Sequence, residues 1–317
     1  ALIGLLDPLW GDKGYASPDE FKQFCNPVVP LARLKQRVFT TTDKFEVPVE
    51  IANFGPTTIT NPIVLWRILD ENGGGKAAGI QMKQQIVPLG RSLLTTITED
   101  FIHLPAPGKY TLSLHLQNTT ISNTWNFWLY PQTISDATPT NVLVTSSPEA
   151  AKQALAAGGK VLFTPRLADL SWWSPPLARV PVFWNALMGP TWSRMLGLWC
   201  DTNSPALAGF PTDANCDWQW TEIIAKSRAV NLGSLPRGLK PIVAAIDDWN
   251  RNYKLGVIFE ARVGKGKLLV CTADLNTAPV GPQLRRSLEN YMADQKFQPA
   301  TEISPAEFNS LFFDNLV

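Results

Sequence analysis

Hydrophobic and polar positions change their period twice along this chain. Residues 17–36 carry a helical signature: Ser17 is placed to cap, Pro18 takes the first helical position, and Asp19 and Glu20 fall in the first turn. Phe21 and Phe24 supply one apolar side, and Pro27 and Pro30 forbid regular continuation, so the helix is expected to stop before "NPVVPLAR". From Arg37 to Pro131 the period becomes two. In "KFEVPVEIANF", Phe45, Val47, Val49 and Ile51 alternate with Lys44, Glu46, Pro48 and Glu50, the pattern of a strand with one buried face. Further strands are predicted at "IVLWRILD", "MKQQIVPL", "LLTTITEDF", "GKYTLSLHLQ" and "TWNFWLYP", divided by turn signals such as "NGGGK" and "PAPGK". So many short strands in so short a span predict an immunoglobulin-like β-sandwich.

After the linker "QTISDATPT" the grammar changes again. "NVLVTSSPEAAKQALAAGGKVLFTP" reads strand, helix capped by Ser147 and entered through Pro148, glycine stop at Gly158 and Gly159, then strand. That order predicts a parallel α/β sheet. "KPIVAAIDD", "LGVIFEARVGKGKLLVCTADL" and the helical "GPQLRRSLENYMADQ" extend it, with Val257 to Glu260 and Lys267 to Thr272 as neighbours around a turn at Gly264 to Gly266. The stretch from Leu177 to Ile224 is aromatic, irregular and rich in turns, the kind of segment that carries surface roles.

Composition narrows the function classes. The 317 residues have a formal net charge of +1 and no basic run, which argues against nucleic acid as a partner. Apolar stretches are strand-length and interrupted, so no membrane span is expected, and the opening "ALIGLL" lacks the basic start and cleavage site of a signal peptide. Cys25, Cys200, Cys216 and Cys271 show no metal-ligand spacing; no metal and no cofactor is expected, Cys200 and Cys216 are candidates for a bridge, and free buried thiols are the simpler reading. Twelve tryptophans stand out, because indole faces stack on sugar rings, although core packing accounts for most such residues. Asn118 opens an Asn-Thr-Thr acceptor pattern of little weight in a bacterial-looking chain.

Catalytic apparatus is sparse. His103 and His115, the only histidines, both fall in predicted sandwich strands without a nucleophile or carboxylate partner nearby, and His115 is expected to point outward. There is no GxSxG, and "GKGK" lacks phosphate-loop spacing. Glutamine amidotransfer needs a Cys on a strand-to-helix turn and a later His, and no His follows position 115. Among carboxylates, Asp247 and Asp248 end a predicted strand where ligands of open α/β sheets bind, with Asp201, Asp213 and Asp217 nearby in sequence. The alternative for Asp247 is a turn cap.

"LDPLWGDKGYASPDEFKQFCNPVVPLARL" with "FEVPVEIANFGP" resembles the stretch that follows the catalytic barrel in bacterial glycoside hydrolase family 2, the β-galactosidases and β-glucuronidases. "LGLWCDTNSPALAGFPTDANCDWQW" and "PIVAAIDDWNRNYKLGVIFEARVGKGKLLVCTADL" resemble the carboxyl-terminal domain of the same proteins. The resemblance implies three parts: the edge of a (β/α)8 barrel with its last helix (1–36), an immunoglobulin-like sandwich (37–134), and an α/β domain of amidotransferase-like, flavodoxin-like fold without its catalytic residues (135–317). On this reading the chain begins within a barrel, and its neighbour is the catalytic barrel of the same protein. The acid/base and nucleophile glutamates, about 5 Å apart in a retaining enzyme, lie outside this sequence, which alone is expected to be inactive. The parent is expected to be periplasmic or secreted and to act on plant or host glycans. Asp7, Trp10 and Tyr15 would sit in a loop over the barrel mouth, with Trp10 as a wall of the sugar pocket or as packing beneath the loop. Trp218 and Trp220 are candidates for a second stacking platform, a contact with the barrel, or core. Two other readings stay open: a non-catalytic carbohydrate-binding or assembly module, self-association included, and an enzyme using Asp247 with Asp213 or Asp217.

Overall fold

A computed structural model describes residues 4–82, 85–134, 138–170, 174–177, 195–248 and 251–312. The chain divides into two compact units between Leu129 and Tyr130.

In the first unit, the helix expected to start at Ser17 and stop before "NPVVPLAR" is shorter still, confined to α1 (Pro18–Lys22). Ser17 and Glu20 form the reciprocal capping box, Ser17 Oγ accepting from Glu20 N and Glu20 accepting from Ser17 N. No residue of the helix is buried among the described residues, and Phe21 and Phe24 pack on each other at 5.2 Å. "VVPLA", beyond that expected stop and assigned no element in the sequence, forms strand β1 (Val28–Ala32). Next come β2 (Val38–Thr40), β3 (Lys44–Asn53), β4 (Ile59–Thr60), β5 (Ile63–Asp70), β6 (Gly75–Met82), β7 (Ile86–Val87), β8 (Gly90–Asp100), β9 (Gly108–Leu116) and β10 (Ser122–Tyr130). They form a three-stranded sheet β1-β3-β8, a five-stranded sheet β2-β10-β9-β5-β6, and the ribbon β4-β7.

One core joins the two larger sheets. Phe45, Val47, Val49 and Ile51 of β3 meet Val64, Trp66 and Ile68 of β5 and Leu112 and Leu114 of β9. The rings of Phe39, Phe45, Phe101 and Phe127 cluster within it, Phe101 and Phe127 stacked and the other pairs edge-on or tilted. Tyr110 packs on Phe127 and donates its hydroxyl to Pro105 O at 2.6 Å, which pins the turn before β9. His115 does lie off the core face of β9, whereas His103 sits in the turn between β8 and β9 and not in a strand.

The second unit contains β11 (Leu143–Thr145), α2 (Pro148–Ala156), β12 (Lys160–Phe163), β13 (Gly197–Cys200), α3 (Trp218–Ile224), β14 (Val230–Asn231), β15 (Val243–Ile246), β16 (Leu255–Val263), β17 (Gly266–Cys271), α4 (Val280–Ala293), β18 (Glu302–Ile303) and α5 (Pro305–Phe312). Strand order is β11-β12-β17-β16-β15-β13, with β14 and β18 also paired to β16. The hairpin β16–β17 turns at Gly264 as its sequence predicts. The sheet, however, is mixed. β11, β12 and β17 run parallel, but β17, β16, β15 and β13 alternate in direction, so the parallel sheet of a flavodoxin-like fold is not what forms.

Alternate residues of the central strands bury against opposite layers. Val161, Phe163, Phe259 and Val270 pack with α2 and α5, while Glu260, of opposite parity on β16, accepts from Tyr291 Oη of α4 at 2.9 Å. Gly266 is where α2 crosses β17: a Cβ there would sit 2.6 Å from both Cα and O of Leu155. Gly266→Ala is therefore expected to cost about 1–3 kcal/mol by pushing α2 off the sheet, read as a lower urea midpoint for the second unit.

All four cysteines are free thiols, Cys200 and Cys216 included. Among the described residues, no helix is long and apolar enough to cross a membrane.

Candidate functional site

Asp7 and Trp10 lie in the turn closed by the Leu6–Asp12 bridge, and Tyr15 follows it on the way to α1. The Asp7 carboxylate accepts from Leu9 N at 2.8 Å and Gly11 N at 2.7 Å, and Asp7 N donates to Gly11 O at 2.9 Å. This closes a tight turn and occupies the carboxylate. Its apex is Trp10, held at φ +65°, an unusual conformation for a bulky residue, with its side chain turned outward. Leu9 and Trp10 are 89% and 83% exposed, and Tyr15, with Lys13 Nζ 5.7 Å from its ring centre, is also exposed. An apolar and aromatic surface is thus presented on a turn built to hold it.

Trp218 and Trp220 do not form a platform together. Asp217 caps α3 by accepting from Trp218 N at 2.8 Å, and two positions on along a helix the side chain points elsewhere. Trp218 is 47% exposed, but Trp220 is 0% exposed: its Nε1 donates to Thr212 Oγ1 at 2.9 Å and its ring meets Phe210 at 5.1 Å. The expectation that Trp220 stacks on a sugar is corrected, because its faces are buried in the protein.

Asp247 closes β15, as its sequence position predicts, and is likewise engaged. Its carboxylate takes Arg251 side-on, from Nε at 3.0 Å and from Nη2, and also accepts from Tyr253 N at 2.8 Å. Burial opposes its charge, but the Arg251 hydrogen bonds and those from the Tyr253 and Asp248 backbone outweigh it and hold the carboxyl below the usual range. Asp248 accepts from Arg251 N at 3.0 Å. With Asp217 capping a helix and Asp247 locked to an arginine, neither carboxylate is disposed for acid or base work. Cys271, in the last position of β17, is buried, and that burial pushes its thiol up to about 12, which removes it as a nucleophile at neutral pH.

What the Asp247–Arg251 pair does is shape the loop that follows. Asn252 adopts φ +50°, and Tyr253 is held with its ring 5.4 Å from the Arg251 guanidinium. Tyr253 and Asn252 then line a cleft of about 550 Å³ with Asn231, Ser234, Lys254 and Ser310. Amides, hydroxyls and one aromatic ring are the groups that recognise a polyol. Sequence reasoning stopped at Asp247 and missed Tyr253, six residues on in the same quoted string; an aromatic flanked by Asn and Lys just past a strand-ending Asp was the available signal. The segments 178–194 and 249–250, to which the aromatic-region and "DDWN" readings extend, lie outside the described residues.

Two family models match the chain, one over residues 43–131 described as a domain of unknown function (DUF8488), the other over residues 142–313 described as a domain of unknown function (DUF8487). No curated protein matches. Solved structures with partial likeness include the alkylpurine DNA glycosylase AlkC of Pseudomonas fluorescens, 13% identical over 33% of this chain and 30% of that one, at a TM-score of 0.26. A β-glucuronidase of Parabacteroides merdae is 15% identical over 42% of this chain and 20% of its own, at 0.25. A cycloisomaltooligosaccharide glucanotransferase of Paenibacillus sp. is 12% identical over 40% and 17%, at 0.26. The chain thus spans under a third of the length of each of these three proteins. With its model covering more than half of the sequence, DUF8487 is the family to which this chain belongs.

Proposed function

We propose that this chain is the accessory region of a retaining, β-galactosidase-like glycoside hydrolase, periplasmic or secreted, whose catalytic glutamates lie outside it. The observation that carries this reading is the loop around Asp7: Leu9 and Trp10 are fixed outward on a closed turn with Tyr15 exposed just beyond it, a surface made to be covered, within the string that resembles the segment following the family 2 barrel. The occupant is the catalytic (β/α)8 barrel of the same protein. The sandwich is then the immunoglobulin-like domain of that architecture, supported by its two-sheet core and the hydroxyl of Tyr110 bonded back to Pro105.

The test uses this chain with the separately produced barrel. Alone, the chain should leave aryl β-galactosides and β-glucuronides intact. With the barrel it should form a complex that Trp10→Ala weakens by about tenfold or more, as for a truncated interface anchor, with no change in its own unfolding midpoint. Turnover by the chain alone that is lost in Asp247→Asn, or a complex indifferent to Trp10, overturns the reading.

A second reading, a non-catalytic carbohydrate-binding module, is favoured by the Tyr253 cleft. Calorimetry with neutral galactosides and polysaccharides separates the two: binding abolished by Tyr253→Ala supports the module, and no heat supports a scaffold.

A further inference from the structure

Strands β11, β12 and β17 end at one edge of the sheet. Thr145 pairs with Phe163 and Phe163 with Val270, so the chain leaves all three in register. Loops beyond the carboxyl ends of parallel strands form the crevice in which open α/β sheets bind ligands. Here they enclose a cleft of about 340 Å³ that shares no lining residue with the one beside Tyr253. Ser146 lines it after β11, Thr164 and Arg166 after β12, and Asp274 after β17; Lys226, just past α3, and Arg285 of α4 complete the wall.

Two of the three cations of this wall, Arg166 and Arg285, are set in advance. Arg166 lies side-on to Asp169, with Nε–Oδ2 at 2.7 Å and Nη2–Oδ1 at 2.8 Å. Arg285 donates from Nε to Glu289 at 2.8 Å and from Nη2 to Thr138 at 3.1 Å. Both guanidinium groups therefore have one edge fixed, while neither Nη1 makes a hydrogen bond among the described residues. Lys226, exposed, makes neither a hydrogen bond nor an ion pair among the described residues. The one carboxylate of the wall, Asp274, already accepts from Asn276 N at 2.8 Å and Thr277 Oγ1 at 2.7 Å. Donors whose side chains are already ordered lose little freedom when an anion arrives, and charge-assisted hydrogen bonds are the strong ones.

We propose that this cleft binds a sugar-sized polyol carrying one carboxylate or phosphate, the anion seated among Arg166, Lys226 and Arg285 and the hydroxyls on Ser146 and Thr164. Its volume fits one such ring, at the small end of ligand pockets. The site stands apart from the glycosidase reading, since it needs neither the barrel nor the Tyr253 cleft.

Calorimetry of the full chain with glucuronate, glucose 6-phosphate, glucose and inorganic phosphate tests it. At least one of the two acids should bind at millimolar concentration or below, with the stronger identifying carboxylate or phosphate as the anion, and glucose and inorganic phosphate should bind about tenfold more weakly or not at all. Lys226→Ala should weaken the acid by about tenfold at an unchanged unfolding midpoint, and Tyr253→Ala should leave it alone. Absence of heat with both acids, glucose binding as tightly as the acids, bare phosphate matching glucose 6-phosphate, or acid binding indifferent to Lys226→Ala would each overturn the proposal.

Discussion

Arg251→Ala is expected to destabilise the second unit by about 3–5 kcal/mol, the cost of leaving a buried carboxylate without its counter-ion. The Asp247 side chain is 1% exposed and receives both Arg251 hydrogen bonds. With the guanidinium gone, Asp247 must stay charged in a dry site or take up a proton, and either costs stability. Asp247→Asn should cost less, because the amide oxygen still accepts from Tyr253 N. A double replacement by alanine should cost less than the sum of its parts, since the charge and its partner leave together. The pH dependence follows from the direction of the shift. Asp247 is depressed in the folded state, so its contribution is fully present above the unfolded carboxylate pKa, about 3.9, and is lost as pH falls through the lower folded value. Urea midpoints at pH 7 and pH 3 check this: the gap between wild type and Asp247→Asn should be wide at the first and narrowed at the second. Equal gaps at both would mean that the pair contributes geometry and no net charge stabilisation.

How much of this was legible follows from what each segment's own residues can encode. β3 was readable because a half-buried strand writes its burial in alternation, and Phe45, Val47, Val49 and Ile51 all face the core. β1 was not, since Pro30 reads as a breaker; it is tolerated because β1 is an edge strand, where a missing N–H breaks no ladder. β6 has no apolar alternation of its own, and its place is set by its partner: Gly79 lies opposite Trp66, and a Cβ there would be 2.6 Å from the indole Nε1. The predicted strand "MKQQIVPL" consequently falls mostly after β6. In the second unit, β11-α2-β12 was legible from caps and glycines and the β16–β17 hairpin from its turn, but strand direction across the sheet is not a local property, and the antiparallel pairing of β15 with β16 and of β13 with β15 went unread. At the site, Asp247 was found by its place at a strand end. Its turn-capping alternative was legible too, since the carboxylate accepts from Tyr253 N, but its pairing with Arg251 was not, because that partner sits in an irregular loop whose course only the folded chain defines.

Trp220→Ala is expected to cost about 3–5 kcal/mol, in the range for truncating a buried aromatic core residue, while Trp218→Ala should cost about 1 kcal/mol or less. The two stand two residues apart in "WQW", and composition alone makes them equivalent. The fold separates them: Trp220 loses its contact with Phe210 and leaves Thr212 without the indole N–H, whereas half of Trp218 already faces water. Urea unfolding followed by far-UV circular dichroism measures both. A stable Trp220→Ala protein, with a midpoint near that of Trp218→Ala, would mean that the indole does not hold α3 against Phe210 and Thr212, and the earlier possibility of a tryptophan pair displayed for sugar would return. The opposite result confines any glycan contact on this helix to Trp218, and a binding assay on the stable Trp218→Ala protein then reads that contact without interference from unfolding.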